Sequence, residues 1–176
     1  MKIRHFLAPL FLLGATAMAA HAADVKVTLT GVHLCCGSCV KGVTTAVTPV
    51  KGVTATCDQA AGTVALSGPD NASLQSAVNA LTAAGYYGKS SDDTVKVDAS
   101  SGAPDGKVTT LEVTGVHLCC NSCVTAMKGV IGKVDGIKTD TIKAKGTSFT
   151  LTGDFDAKAF VAELQKAGLT GKVSSK

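Results

Sequence analysis

The stretch "GVHLCCGSCV" (residues 31–40) returns almost unchanged as "GVHLCCNSCV" (residues 115–124). The similarity extends beyond the cysteines, because the same shift of 84 residues places Gly62 on Gly146 and "VKGV" on "VDGI". A repeat of this length indicates a duplicated domain rather than a duplicated loop. The chain is therefore expected to contain two small domains, each with one cysteine cluster.

The first 22 residues are typical of a secretory signal peptide. Lys2 and Arg4 precede the apolar run "FLAPLFLLGATAMAA", and Ala20-His21-Ala22 forms a small-residue cleavage pattern. The apolar run is shorter than the roughly 20 residues that a membrane-spanning helix needs. We expect a mature chain that is periplasmic or secreted, without membrane insertion after cleavage.

The composition of the remaining chain argues against several partners. Beyond the predicted signal peptide there are 15 Lys against 13 Asp plus Glu, and neither Arg nor Trp. Such a nearly neutral chain has few groups for phosphate binding or base stacking, so nucleic acid is not an expected partner. No later apolar run is long enough to cross a membrane, which argues against a pump or channel.

Each copy shows the same order of predicted elements. An alternating strand, "VKVTL" (25–29) or the less regular "VTTLEV" (108–113), precedes the cysteines, and apolar residues at helical spacing follow them. Two strands joined at a glycine come next, then a second amphipathic helix that ends at Gly85 or Gly168, and a short final strand. The order βαββαβ predicts two ferredoxin-like α+β domains in tandem.

The domain boundaries follow from composition. Residues 1–22 form the predicted signal peptide, 23–98 the first domain, 99–106 a linker and 107–176 the second domain. The region before Lys107 is rich in Ser, Asp, Gly and Pro, which is typical of a connection, and "TVKV" (94–97) is compatible with a short strand.

The cysteine motifs offer metal-binding chemistry. Cys36 and Cys39 are separated by two residues at the start of a predicted helix, and Cys120 and Cys123 repeat that arrangement. A helix N-terminus stabilises thiolates, and paired thiolates are soft ligands that suit Cu(I), Zn(II) and heavier thiophilic ions.

These motifs and their flanking residues resemble the heavy-metal-associated domain family, which includes copper chaperones and the periplasmic mercury-binding protein. Its signature has apolar residues one, four and eight positions after the second Cys, as Val40, Val43 and Val47 stand after Cys39. The resemblance implies a non-enzymatic protein that captures, buffers or transfers about one ion per domain through thiolate exchange. It implies Cu(I) ahead of Zn(II) or Hg(II), and as partner a second metal-binding protein or a membrane metal transporter. The resemblance carries the metal-ligand role onto Cys36, Cys39, Cys120 and Cys123.

The loop departs from the family pattern. Where the family has its first cysteine this chain has Leu34 or Leu118, so the loop is longer and contains an additional Cys and His. A third thiolate would give a three-ligand site, which we favour, and a Cys3His site would instead favour Zn(II). The additional candidate ligands are Cys35, Cys119, His33 and His117.

Two other interpretations stay open. A periplasmic thiol-disulfide redox protein would also place CxxC at a helix start, although the element order is not that of thioredoxin. Purely structural disulfides are a second option, but bridges within five residues constrain the chain little. Cys57, which has no counterpart in the second copy, is predicted to be a buried strand residue, and Tyr86 either shields the metal loop or packs on the sheet.

Overall fold

The computed structural model describes residues 24–176, so the predicted signal peptide (1–22) lies outside the described residues. The chain forms two units of the same βαββαβ order, with two four-stranded antiparallel sheets and four helices. This mixed α+β architecture is consistent with the two predicted ferredoxin-like domains. The elements of the first domain are β1 (Val25–Thr30), α1 (Gly37–Val47), β2 (Thr54–Asp58), β3 (Thr63–Gly68), α2 (Asn71–Ala83) and β4 (Lys89–Ser90).

The second domain repeats the topology of the first. Its sheet has the order β6-β7-β5-β8, which matches β2-β3-β1-β4 strand for strand. Its elements are β5 (Lys107–Thr114), α3 (Asn121–Ile131), β6 (Ile137–Asp140), β7 (Ser148–Asp156), α4 (Ala157–Lys166) and β8 (Lys172–Ser175).

Alternation along the central strands places one face of each sheet in the core. Val27 and Leu29 of β1 are buried, whereas the polar residues that alternate with them are more exposed. In β5 the pairing register shifts between Val108 and Thr110, a bulge that accounts for the irregular alternation of "VTTLEV". Helix faces at the predicted spacing cover the sheets, including Val43 and Val47 of α1, Leu74, Val78 and Leu81 of α2, Met127 of α3, and Phe160 and Leu164 of α4.

The segment between Ser90 and Lys107 contains neither helix nor strand, so the strand considered for "TVKV" is wrong. Val95 is instead fully buried, and the Lys96 backbone exchanges two hydrogen bonds of 2.7 Å with the Gln75 side chain of α2. These bonds occupy the backbone N–H and carbonyl groups that would have paired with a neighbouring strand, and they hold the segment against the first domain.

The two domains meet at the turns that follow α2 and α4. Gly85 and Gly168 both have positive φ, 88° and 77°, as predicted for glycines that end helices. The Thr170 N–H donates to the Gly85 carbonyl at 3.0 Å, and the Tyr87 N–H donates to the Gly168 carbonyl at 3.1 Å. The two closing turns thus pair with each other across the domain boundary.

None of the helices in residues 24–176 combines the length and apolar character needed to cross a bilayer.

Candidate metal centre

Each cysteine loop is held by backbone contacts on both sides. In the first domain the Val32 N–H donates to the Gly62 carbonyl of the β2–β3 turn at 2.9 Å. The His33 N–H crosses to the second domain and donates to the Gly168 carbonyl at 3.2 Å. Because Gly168 has no side chain, the first domain's loop can lie directly on its backbone, where an added Cβ would overlap the Gly31 carbonyl oxygen. The second domain's loop lies in the same way on the backbone of Gly85, where an added Cβ would overlap the His117 nitrogen. Each loop is therefore positioned partly by the other domain.

This packing brings the two cysteine loops together into one six-sulfur cluster. Within a domain, neighbouring sulfurs lie 3.5–4.0 Å apart, and between domains they lie 3.5–3.9 Å apart. No disulfide joins any cysteine in residues 24–176. The cluster consists of Cys35, Cys36 and Cys39 from the first domain and Cys119, Cys120 and Cys123 from the second.

The helix starts place the CxxC pairs as the sequence predicts. Cys36 and Cys120 occupy the N-cap positions of α1 and α3. Cys39 and Cys123 lie in the first turn of their helices and are fully buried, whereas the other four cysteines are half-buried. The cluster thus has a buried side and an accessible side.

Proton affinities differ strongly within the cluster. The backbone N–H of Cys39 is the main reason that the pKa of Cys36 is lowered to about 6. Burial opposes ionisation of Cys123, but contacts with His33 and Cys35 outweigh it and lower the pKa of Cys123 to about 6. Burial and the neighbouring thiols raise the pKa of Cys35 and of Cys119 far above its usual value. The cluster therefore holds thiolates and thiols side by side, whose titrations are linked.

His33 lies beside the cluster. One of its ring nitrogens lies within 4.8 Å of the sulfurs of both Cys35 and Cys123, one cysteine from each domain. Its Nε2 atom is buried and has no hydrogen-bond partner. A buried polar atom without a partner is costly, so a ligand at this position would satisfy it.

His117 occupies the equivalent position in sequence but has a different environment. Its Nε2 atom lies 3.0 Å from the Tyr86 hydroxyl, which donates to the Cys39 carbonyl at 2.8 Å. Because that hydroxyl has a single proton, the His117 Nε2–H must donate to the tyrosine oxygen. The difference arises because the second domain has Leu169 where the first has Tyr86. Gly42 of α1 makes room for this tyrosine, since a Cβ there would overlap its hydroxyl.

The predicted site residues therefore fall into two sets. The six loop cysteines and His33 come together, whereas His117 belongs to no group of described residues that could hold an ion. Cys57 is half-buried in β2, as a strand residue, and lies outside the cluster. Tyr86 is buried, and its hydroxyl lies between the Cys39 carbonyl of α1 and the His117 ring. The matching positions of Gly85 and Gly168 were the available signal for the meeting of the loops, although neither glycine by itself specifies a partner surface.

We expect His33→Ala to weaken Cu(I) binding and the matched variant His117→Ala to leave it nearly unchanged. His33 faces the sulfurs, whereas His117 is occupied by Tyr86. Loss of one ligand is expected to reduce affinity about tenfold or more, which corresponds to about 1.4 kcal/mol. Competition with a Cu(I) chelator at constant pH measures the Cu(I) affinity of both variants. Equal effects of the two substitutions would contradict the assignment of His33 to the site.

Comparisons with known proteins find similarity to this chain among solved structures. No protein-family model matches it, and no curated protein matches it. Among solved structures, it is similar to the N-terminal soluble domains of Bacillus subtilis CopA, with 15% identity over 87% of this chain and 95% of that chain and a TM-score of 0.29. It is also similar to the first two RRM domains of the yeast poly(U) binding protein Pub1, with 9% identity over 86% of this chain and 98% of that chain and a TM-score of 0.25. At these TM-scores neither likeness carries an argument about function.

Proposed function

We propose that this chain is an exported, non-enzymatic protein that captures, buffers or transfers a soft metal ion, Cu(I) ahead of Zn(II) and Hg(II). The observation that carries the proposal is the cluster of six free thiols with one buried, unpartnered imidazole nitrogen. Thiolates select soft ions, and groups of three donors suit three-coordinate Cu(I) better than tetrahedral Zn(II). The resemblance of both loops to heavy-metal-associated domains supports the same chemistry.

Transfer would proceed by ligand exchange. Cys36 and Cys120 are half-buried rather than fully buried, so a thiolate of a partner protein can approach an ion held there. Cys119 lines an open groove together with Lys145 and Gly146, which gives incoming ions a second route. The expected partners are another metal-binding protein or a membrane metal transporter. Export itself rests on the sequence of residues 1–22.

The test is an anaerobic titration of the reduced mature protein with Cu(I), Zn(II) and Hg(II) in the presence of competing chelators. We expect the protein to bind Cu(I) most tightly of the three ions, after each result is corrected for the chelator's affinity for that ion. The double substitution Cys36→Ser and Cys39→Ser should reduce the amount of tightly bound Cu(I), because two of the four donor groups need one of these residues. Cys57→Ser, which alters a half-buried cysteine outside the cluster, should leave that amount unchanged. Absence of tight binding for all three ions would contradict the proposed function.

A thiol-disulfide redox role is the second candidate. Cys36 has a pKa of about 6, and its sulfur lies 3.9 Å from that of Cys39, so a thiolate is available next to a resolving thiol. The same sample distinguishes the two roles. Disulfide exchange with a glutathione redox pair that is as fast as that of dedicated oxidoreductases, without tight metal binding, would favour the redox role.

A further inference from the structure

We propose that the two domains do not hold separate ions but form one polynuclear Cu(I)–thiolate cluster, of about four ions, from the cysteines of both loops and His33. This inference rests on the proposed function, that the chain binds a soft metal, and deepens it by assigning the site's composition and its location at the domain boundary.

The sulfurs of the two loops form one continuous group rather than two separate groups. Distances between domains, 3.5–3.9 Å, fall in the same range as those within a domain, 3.5–4.0 Å. Thiolates that share one ion at a metal–sulfur distance of about 2.3 Å stand about 3.8–4.0 Å from each other. The sulfurs are thus as close across the boundary as the ligands of a common ion are, or slightly closer.

The donor atoms form four overlapping groups of three, each with its atoms within 4.8 Å of one another. Three of the four groups combine residues from both domains. The groups are His33, Cys35 and Cys123; Cys35, Cys36 and Cys120; Cys36, Cys39 and Cys119; and Cys119, Cys120 and Cys123.

The overlap matches the bonding capacity of the donors. Each of Cys35, Cys36, Cys119, Cys120 and Cys123 belongs to two groups, as a thiolate that bridges two ions would. His33 belongs to one group, and an imidazole nitrogen has a single lone pair to offer. Filling every group with one three-coordinate Cu(I) therefore gives about four ions, bridged by sulfur.

Charge favours such bridging. Metal binding deprotonates the thiols, and six thiolates at these distances would repel one another unless cations lie between them. A sulfur that binds two cations is neutralised more completely than one that binds a single ion. Separate ions in each loop would leave sulfurs of the two loops in contact with no cation between them.

The experiment measures the Cu(I) stoichiometry of the full mature chain by anaerobic native mass spectrometry, with Cu(I) supplied as its acetonitrile complex. We expect about four ions to bind cooperatively to a monomer, with the metal-free and fully loaded forms dominating at intermediate Cu(I). X-ray absorption of the loaded protein should contain a copper–copper vector. The variant that combines Cys119→Ser, Cys120→Ser and Cys123→Ser should bind at most one ion, a loss of at least three quarters. Cys57→Ser should match the wild type.

The alternatives give different results. Two ions in the wild type, one in the triple variant and no copper–copper vector would overturn the shared cluster while leaving the proposed function in place. No Cu(I) binding at all would overturn the proposed function itself. Cluster formation only in dimers, detected in the same spectra, would also overturn a site built within one chain. The mirror variant, Cys35→Ser with Cys36→Ser and Cys39→Ser, guards against misfolding of one domain, and circular dichroism checks that both variants fold.

Discussion

Loading the protein with Cu(I) is expected to raise its midpoint of thermal unfolding by about 8–16 °C. An ion present at about 1,000 times its dissociation constant stabilises the state that binds it by about 4 kcal/mol. A chain of this size gains about 2–4 °C per kcal/mol. The effect is expected here because the ligands come from loops about 84 residues apart, which only the folded chain brings together.

The unfolded chain retains part of its metal affinity, and that sets the limit of the effect. Each CxxC pair is local in sequence, so an unfolded chain can still hold an ion between Cys36 and Cys39 or between Cys120 and Cys123. The measured gain therefore reports the share of the binding free energy that depends on both domains being folded and in contact.

Anaerobic differential scanning calorimetry with a phosphine reductant makes the measurement. Ions that bridge the domains couple them, so the loaded protein should unfold in a single transition. Cys57→Ser should show the same increase, because Cys57 lies outside the cluster. An increase below about 2 °C in saturating Cu(I), less than the shift for 1 kcal/mol, would contradict a site that needs the folded arrangement.

Most of the fold could be predicted from the sequence because it depends on local patterns. Alternation identified β1, and helical spacing identified α2, whose Leu74, Val78 and Leu81 are all buried. The prediction of a strand at "TVKV" was wrong because the alternation of apolar and polar residues does not show which partner the backbone will bond to. Val95 of the connecting segment is itself buried, and the neighbouring backbone bonds to Gln75 instead of to a strand.

The site was predictable loop by loop but not as a whole. The repeat identified the six cysteines, yet their meeting depends on backbone contacts at Gly85 and Gly168, which have no side chains to indicate a partner surface. The sequence predicts about one ion per domain, and this number stays a prediction because the sequence does not show that the two loops meet. The sequence did contain the difference between Tyr86 and Leu169, but it did not reveal that this difference engages His117 and leaves His33 facing the sulfurs.

The contact between the domains predicts a large effect of Gly168→Ala. We expect the free energy of unfolding to fall by about 2–5 kcal/mol, and Cu(I) affinity to fall at least tenfold. Gly168 has φ 77°, which costs an alanine roughly 1–2 kcal/mol. Its added Cβ would also overlap the Gly31 carbonyl oxygen and the His33 nitrogen, and relieving such overpacking costs about 1–3 kcal/mol more. Because the displaced backbone is that of His33, the movement is transmitted to Cys35 and the cluster.

Gly106→Ala is the matched control for this substitution. Gly106 has a closely similar φ of 80°, but a Cβ there would meet no atom within 4 Å. The Gly106→Ala variant should therefore lose only the free energy of unfolding that the positive φ costs an alanine, about 1–2 kcal/mol, and keep its Cu(I) affinity. Urea unfolding of the metal-free proteins, together with chelator competition for Cu(I), separates the two contributions. If Gly168→Ala were no more destabilising than Gly106→Ala, the second domain's closing turn would not lie against the first domain's loop in solution. If it were more destabilising but kept full Cu(I) affinity, the position of that loop would not govern the cluster.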